Sequence, residues 1–205
     1  AHYYEETDKL SSIVSKYKIE TISCDFSNEN DVNDLLSFIK KRNISALVNS
    51  SGCFDFSHNQ KNRMRAAKEI FQINTIVPIM IAEACLIKMK EACFGRIVNL
   101  SSIGVKFGSN IENIFYGSSK IGLEAATRSL AREGSACNVL VNAIRPGITD
   151  TEFYKRIGKD LTERSKLIPL KRAAQPIEIA KFIYFLCSNN NTYITGQVLP
   201  ISGGE

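Results

Sequence analysis

Histidine is nearly absent from this 205-residue chain; only His2 and His58 occur. None of the six cysteines (Cys24, Cys53, Cys85, Cys93, Cys137 and Cys187) belongs to a Cys-x-x-Cys pair. With so few ligands and no paired spacing, no metal site is expected, and the cysteines read as small hydrophobes of a reducing compartment. A strong charge of one sign is missing too. The 26 Lys and Arg against 21 Asp and Glu leave +5, and the densest basic cluster is only Lys40, Lys41 and Arg42. Nothing resembles a basic stripe interleaved with aromatics, so nucleic acid is not expected as a partner. The opening AHYYEETDKL is polar and acidic and does not read as a secretion signal. The longest apolar stretch, IVPIMIAEACLIKM, is interrupted by Pro78, Glu83 and Lys88 and is too short to span a bilayer. It predicts a buried helix, with no membrane partner and a cytoplasmic location.

What is present is a composition of 44% hydrophobic and 23% charged residues, which suits one globular domain over residues 1–205. Strand-like and helix-like runs alternate. IETISCDF (19–26) ends in an acid. DVNDLLSFIKKR (31–42) carries apolar residues at helical spacing. ISALVNSSG (44–52) ends in polar and glycine residues. A helical region covers about 62–90, GRIVNLSS (95–102) reads as a strand, and NIFYGSSKIGLEAATRSLARE (113–133) reads as a helix. NVLVNAIRPG (138–147) is a strand stopped by Pro-Gly, PIEIAKFIYFLCS (176–188) is a helix with Pro in its first turn, and a last short strand lies within 194–204. Near-continuous apolar strands alternating with helices predict an α/β fold, a three-layer, doubly wound parallel sheet. Ligands of such sheets bind beyond the carboxyl ends of the strands. Polar and turn residues gather at those ends: Asp25, Asn49 to Gly52, Ser101 and Ser102, Pro146 and Gly147.

FYGSSK (115–120) sets a phenol four residues from an ammonium, which places Tyr116 and Lys120 on one helical face. Together with the motifs around it, this segment resembles the short-chain dehydrogenase/reductase family over nearly the whole chain. NSSG (49–52) is similar to the family's Asn-Asn-Ala-Gly loop with its two middle residues changed. Asn74 in INTIVP matches the active-site asparagine, and Ser102, Tyr116 and Lys120 match the catalytic serine, tyrosine and lysine. RPGITDT (145–151) supplies Pro146, Gly147 and Thr151, and the closing helix and strand run to Gly203 and Gly204. The nearest members are similar to 3-oxoacyl-[acyl-carrier-protein] reductases.

The resemblance implies roles. Tyr116 is the general acid, tuned by Lys120, since a neighbouring cation lowers a phenol pKa from about 10 towards the working pH. Ser102 and Tyr116 bind the substrate oxygen. Asn74 supports a proton relay to Lys120. Asp25 and Phe26 receive the adenine; Asn49, Ser51 and Gly52 line the cofactor loop. Tyr116 and Lys120 meet the nicotinamide ribose, while Pro146, Gly147, Ile148 and Thr151 hold the carboxamide end. Each position also has a plain structural alternative. Ser102 is a possible turn former, Asn74 a buried brace, Asp25 a helix cap, Ile148 core, and Cys53 packing.

The family's glycine-rich pyrophosphate turn is not found. The chain opens like the tail of the family's second strand, so the sheet is expected to lack its first strand-helix-strand unit, about 35 residues in size. The chain is then a segment of a longer protein, or its start has been left out. Strand 19–24, the third of the order 3-2-1-4-5-6-7, is expected to have no neighbour and to stand about two strand spacings from strand 44–50. The cofactor cleft should be open where the pyrophosphate lies. His2 stands where NAD enzymes place an acid, which favours NADP, with NAD possible. The implied activity is an NADP-linked carbonyl reductase or alcohol dehydrogenase acting on a small molecule, assembled as a homotetramer or homodimer. An NAD-dependent sugar or alcohol dehydrogenase, or a non-catalytic scaffold that kept the fold, are the alternatives. Residues 103–112 and 152–168 are the expected specificity segments.

Overall fold

A computed structural model of the chain describes residues 1–4, 8–54, 62–152, 154 and 160–205. His58 and part of the segment 152–168 lie outside the described residues. Two parallel sheets carry the strands. β1 (His2–Tyr3) pairs with β2 (Ile22–Ser23), His2 in register with Ile22. β3 (Ala46–Asn49), β4 (Gly95–Leu100), β5 (Val139–Pro146) and β6 (Val198–Ile201) form a second sheet in that order. Its register aligns Asn49 with Asn99 and Leu100 with Ile144.

The helices are α1 (Asp8–Tyr17), α2 (Glu29–Lys40), α3 (Arg63–Phe71), α4 (Val77–Glu91), α5 (Ile114–Gly134), α6 (Leu161–Ser165) and α7 (Pro176–Cys187). In α2 the apolar stripe Val32, Leu35, Leu36 and Ile39 is buried. Asn28 caps this helix, its side chain accepting from the backbone N–H of Asn30 at 2.9 Å. Asp25 is therefore not the cap; its carboxylate accepts from Ser27 N at 2.8 Å.

Both faces of the four-stranded sheet are covered. Ile97, Val139 and Val141 pack with α2 and α4 in one apolar cluster, which also takes in Cys24 and Phe26 beside β2. Val98 and Ile144 point the other way, onto Ile179 and Leu186 of α7. Strands buried on two faces need apolar residues at every position, hence the continuous runs VLVNAI and RIVNL. Each fully buried Ile or Val contributes about 1.5–3 kcal/mol. The helical stretch Arg63–Glu91 is long and apolar enough to cross a membrane, yet 56% of its most apolar window is buried inside the fold. It is packed as a core helix.

One expectation needs correction. The strand in 19–24 is not without a neighbour: Ile22 N donates to Ala1 O at 2.9 Å and Cys24 N to Tyr3 O at 3.1 Å. Residues 1–3 reach back to satisfy a backbone that would otherwise be left unpaired. Thr21 and Leu47 are not partners; among the described residues β3 pairs only with β4.

Candidate active site

The carboxyl ends of β3, β4 and β5 open onto a cavity of about 670 Å³. Ser102, Tyr116 and Lys120 line it together with Gly52, Pro146, Gly147, Ile148 and Thr151. Helix α5 delivers Tyr116 and Lys120 from adjacent turns. Ser102 follows β4 and caps a short 3-10 turn, accepting from Gly104 N at 3.2 Å. Its side chain shares the cavity with the Tyr116 phenol and interacts with it. Phe54 packs on the tyrosine, ring centroids 4.9 Å apart.

Burial pushes the Tyr116 phenol above its usual pKa; the Ser102 side chain pulls the other way, and Cys53 adds a smaller upward push. The expectation that Lys120 lowers this pKa is not met. Lys120 Nζ donates to the backbone carbonyl of Leu100 at 2.9 Å, so the ammonium is directed at the end of β4. Lys120 is only 4% exposed, and burial brings its own pKa down to about 8.

Asn74 is fully buried in a π turn, Gln72–Ile76, that joins α3 to α4. Its Oδ1 accepts from Cys53 N at 2.8 Å. Its Nδ2 donates to Cys53 O at 2.9 Å and to Ser119 Oγ at 3.1 Å. The amide thus ties the loop after β3 to α5. A π turn inserts one residue into a helix and re-aims its neighbours, and is frequent at functional sites.

Other expected residues point elsewhere. Asn49 is buried, and its Nδ2 donates to Pro78 O at 3.0 Å and to Asn99 Oδ1 at 2.8 Å. Its side chain braces the sheet against α4 instead of facing the cavity, because the two-residue period of β3 sends it inward. Ser51 is half-buried and outside the lining, whereas Ser50 lines it. Phe26 is core, stacked on His2 with ring centroids 4.4 Å apart, so its side chain is not open to an adenine. His2 Nε2 lies 2.8 Å from Cys24 O and is engaged within the β1–β2 sheet. Asp25 stands at the end of β2, outside the cavity lining.

Gly147 is required by a close approach: a Cβ there would lie 2.7 Å from Ser202 Cα, where β5 and β6 end side by side. Ile148 is buried, and its carbonyl accepts from Ala174 N at 2.9 Å. Thr151 Oγ1 donates to Thr149 O at 3.3 Å.

Sequence reasoning missed several neighbours. Phe54, Tyr154 and Arg164 line the cavity. The two expected specificity segments both reach it, through Gly108, Ser109 and Asn110 on one side and Tyr154 and Arg164 on the other. Glu124, buried just below the site, was legible as the next member of the four-residue spacing that runs through Tyr116 and Lys120. Among the described residues no cluster of His, Cys, Asp or Glu is suited to a metal, and no disulfide is formed.

The profile of the enoyl-(acyl carrier protein) reductase family matches residues 1–205. The chain is 35% identical over 162 residues to a 3-oxoacyl-[acyl-carrier-protein] reductase of Aquifex aeolicus, covering 78% of this chain and 65% of that protein. It is 34% identical over 185 residues to carbonyl reductase family member 4 of Xenopus tropicalis, covering 89% and 76%. The chain therefore spans about two thirds to three quarters of the length of these relatives. Among solved structures, ElxO with NADP bound is 27% identical, with a TM-score of 0.82 over 97% of this chain and 84% of that one. A short chain dehydrogenase/reductase family protein matches at 27% identity and a TM-score of 0.78, over 90% of this chain and 76% of that one.

Proposed function

The chain belongs to the short-chain dehydrogenase/reductase family, and we propose that it transfers a hydride between NADP(H) and a carbonyl or secondary alcohol, in the manner of a 3-oxoacyl-[acyl-carrier-protein] reductase. The observation that carries this reading is the meeting of Ser102, Tyr116 and Lys120 in one cavity at the strand ends. When bound, the nicotinamide group gives or takes the hydride. The residues present suit its ribose and carboxamide end. A Cβ at Gly52 would lie 3.2 Å from Lys120 Nζ, so the bare backbone there leaves the ammonium accessible to ribose hydroxyls.

In this reading Tyr116 hands its proton to the substrate oxygen, and Ser102 donates a second hydrogen bond to the same atom. Burial raises the phenol pKa and keeps it protonated, as a reductase needs. Lys120 holds the ribose. Gly52, Pro146, Gly147, Ile148 and Thr151 line the cofactor side, and Asn74 fixes the loop that carries Gly52. NADP is preferred to NAD because His2, at the position where a carboxylate would receive the ribose 2′-hydroxyl, offers none. Residues 1–205 act as one Rossmann-like unit in the cytoplasm. The protein forms a homodimer or homotetramer through α4 and α5, where Met80 and Ile87, with Ile76 at the end of the π turn, expose one apolar stripe and Ile114 and Ile121 another. A monomeric mass by light scattering at micromolar concentration contradicts that assembly.

The test is NADPH oxidation with a 3-oxoacyl thioester, alongside NADPH fluorescence titration. In the full-length protein wild type should turn over, and Tyr116→Phe should lose at least ~100-fold while staying folded. Near-normal turnover of the phenylalanine variant, or no NADPH binding by wild type, overturns the reading.

A further inference from the structure

Beneath the cavity lies a buried carboxylate that the proposed chemistry does not use. Glu124 is 1% exposed and takes three hydrogen bonds. Its Oε1 accepts from Ser101 Oγ at 2.5 Å and from Arg145 Nε at 2.7 Å; its Oε2 accepts from Arg145 Nη2 at 2.6 Å. Tyr116, Lys120 and Glu124 follow one another at four-residue spacing along one face of α5. Ser101 is the covalent neighbour of Ser102, and Arg145 that of Pro146. We infer that Glu124 is a positioning residue, whose carboxylate bolts the helix bearing Tyr116 and Lys120 to the strand ends bearing Ser102 and the Pro146-Gly147 turn. This inference rests on the proposed roles of Ser102 and Tyr116.

The geometry favours positioning over plain neutralisation of Arg145. A counter-ion for a guanidinium needs only the two-pronged contact. Here the same carboxylate also grips Ser101, whose backbone N–H pairs with Ile144 O at 2.8 Å across β4 and β5. The neighbouring contacts continue the same seam: Lys120 holds Leu100 O, and Asn99 Nδ2 donates to Thr127 Oγ1 at 2.9 Å. Three consecutive residues of β4 and its exit are thereby joined to α5, and Glu124 holds the one covalently next to Ser102. Charge assistance makes its bonds short and directional, which suits a part that sets the approach of Ser102 to the phenol.

The experiment compares wild type, Glu124→Gln, Ser101→Ala and the double variant Glu124→Gln/Arg145→Met in the full chain. One readout needs no turnover: the ¹³C shift of the hydroxyl-bearing ring carbon of Tyr116, assigned through Tyr116→Phe, which senses the polar surroundings of the phenol, Ser102 among them. We expect that signal to move in Glu124→Gln and in Ser101→Ala. We also expect kcat to fall about tenfold. The double variant should regain thermal stability, since no half-buried cation is left unpaired, but not kcat. An unmoved Tyr116 signal in folded variants, or full recovery of kcat in the double variant, overturns the inference. If Glu124→Gln does not fold, Ser101→Ala, which loses a single hydroxyl, decides through the same signal. A wild type without turnover counts against the proposed activity alone, and the Tyr116 signal still decides the positioning.

Discussion

The two ends of the proposed cofactor site are built from unequal material. At the nicotinamide end, β4 and β5 pair continuously from Gly95 with Val139 to Leu100 with Ile144, and helices cover both faces. At the adenine end, β1 and β2 pair over two residues each, and Tyr4 beside them is 63% exposed. Strand length here translates into precision. A long, doubly covered register holds side chains against displacement, whereas a two-residue ladder has few bonds to resist local opening. Lys120 is accordingly buried with its Nζ on Leu100 O, while Asp25 sits in the turn after β2, its carboxylate accepting from Ser27.

That contrast can be broken most severely at Asn74. Asn74→Leu keeps the volume but strands the N–H and C=O of Cys53 and removes the tie to Ser119. We expect a loss of about 2–4 kcal/mol in chemical denaturation, the cost of leaving buried polar groups unmade. A loss below about 1 kcal/mol shows that the loop carrying Gly52 is held by something else.

Lys120 sharpens the contrast through pH. Its pKa in the folded chain is near 8 against an unfolded value of 10.5. A depressed lysine pKa means that the unfolded chain binds more protons between those values, so stability rises with pH across that window and the penalty is complete below about pH 8. Relative to Lys120→Met, wild type should gain on the order of 2–3 kcal/mol between pH 7.5 and pH 10.5. Parallel pH profiles for the two proteins contradict this.

Gly147→Ala tests the seam between β5 and β6. Its new Cβ meets the backbone of Ser202, so the ends of both strands must part. We expect about 1–3 kcal/mol of destabilisation, together with weaker NADPH binding. Unchanged binding shows that the turn is not part of the cofactor side.

His2→Ala is the mildest. It removes a ring stacked on Phe26 and a contact to Cys24 O, for about 0.5–1.5 kcal/mol. Amide exchange should quicken at Ile22 and Cys24 and stay unchanged at Ile97 and Val141. Faster exchange in β4 and β5 as well shows that the two sheets open as one.

The alternation of strands and helices, the carboxyl-end cluster of polar residues and the Ser102, Tyr116 and Lys120 constellation were legible because each rests on local rules: apolar runs, helical spacing and turn residues. Side-chain direction at the ends of strands was not. Asn49 and Phe26 sit where the pattern places them, yet one braces the sheet and the other packs in the core. Their facing depends on the pleat and on what lies opposite, namely Asn99 and His2.

By itself the sequence determined the order of elements, the parallel four-stranded core and the helical face that sets Tyr116 one turn from Lys120. These follow from periodicity, which reads the backbone directly. Only the tertiary structure decided where the charges went. Lys120 reaches Leu100 O instead of the phenol, burial raises Tyr116 where a neighbouring cation was expected to lower it, and Glu124 joins two strand ends to one helix. Such outcomes depend on solvent exclusion and on distances between segments remote in sequence, and spacing along the chain encodes neither.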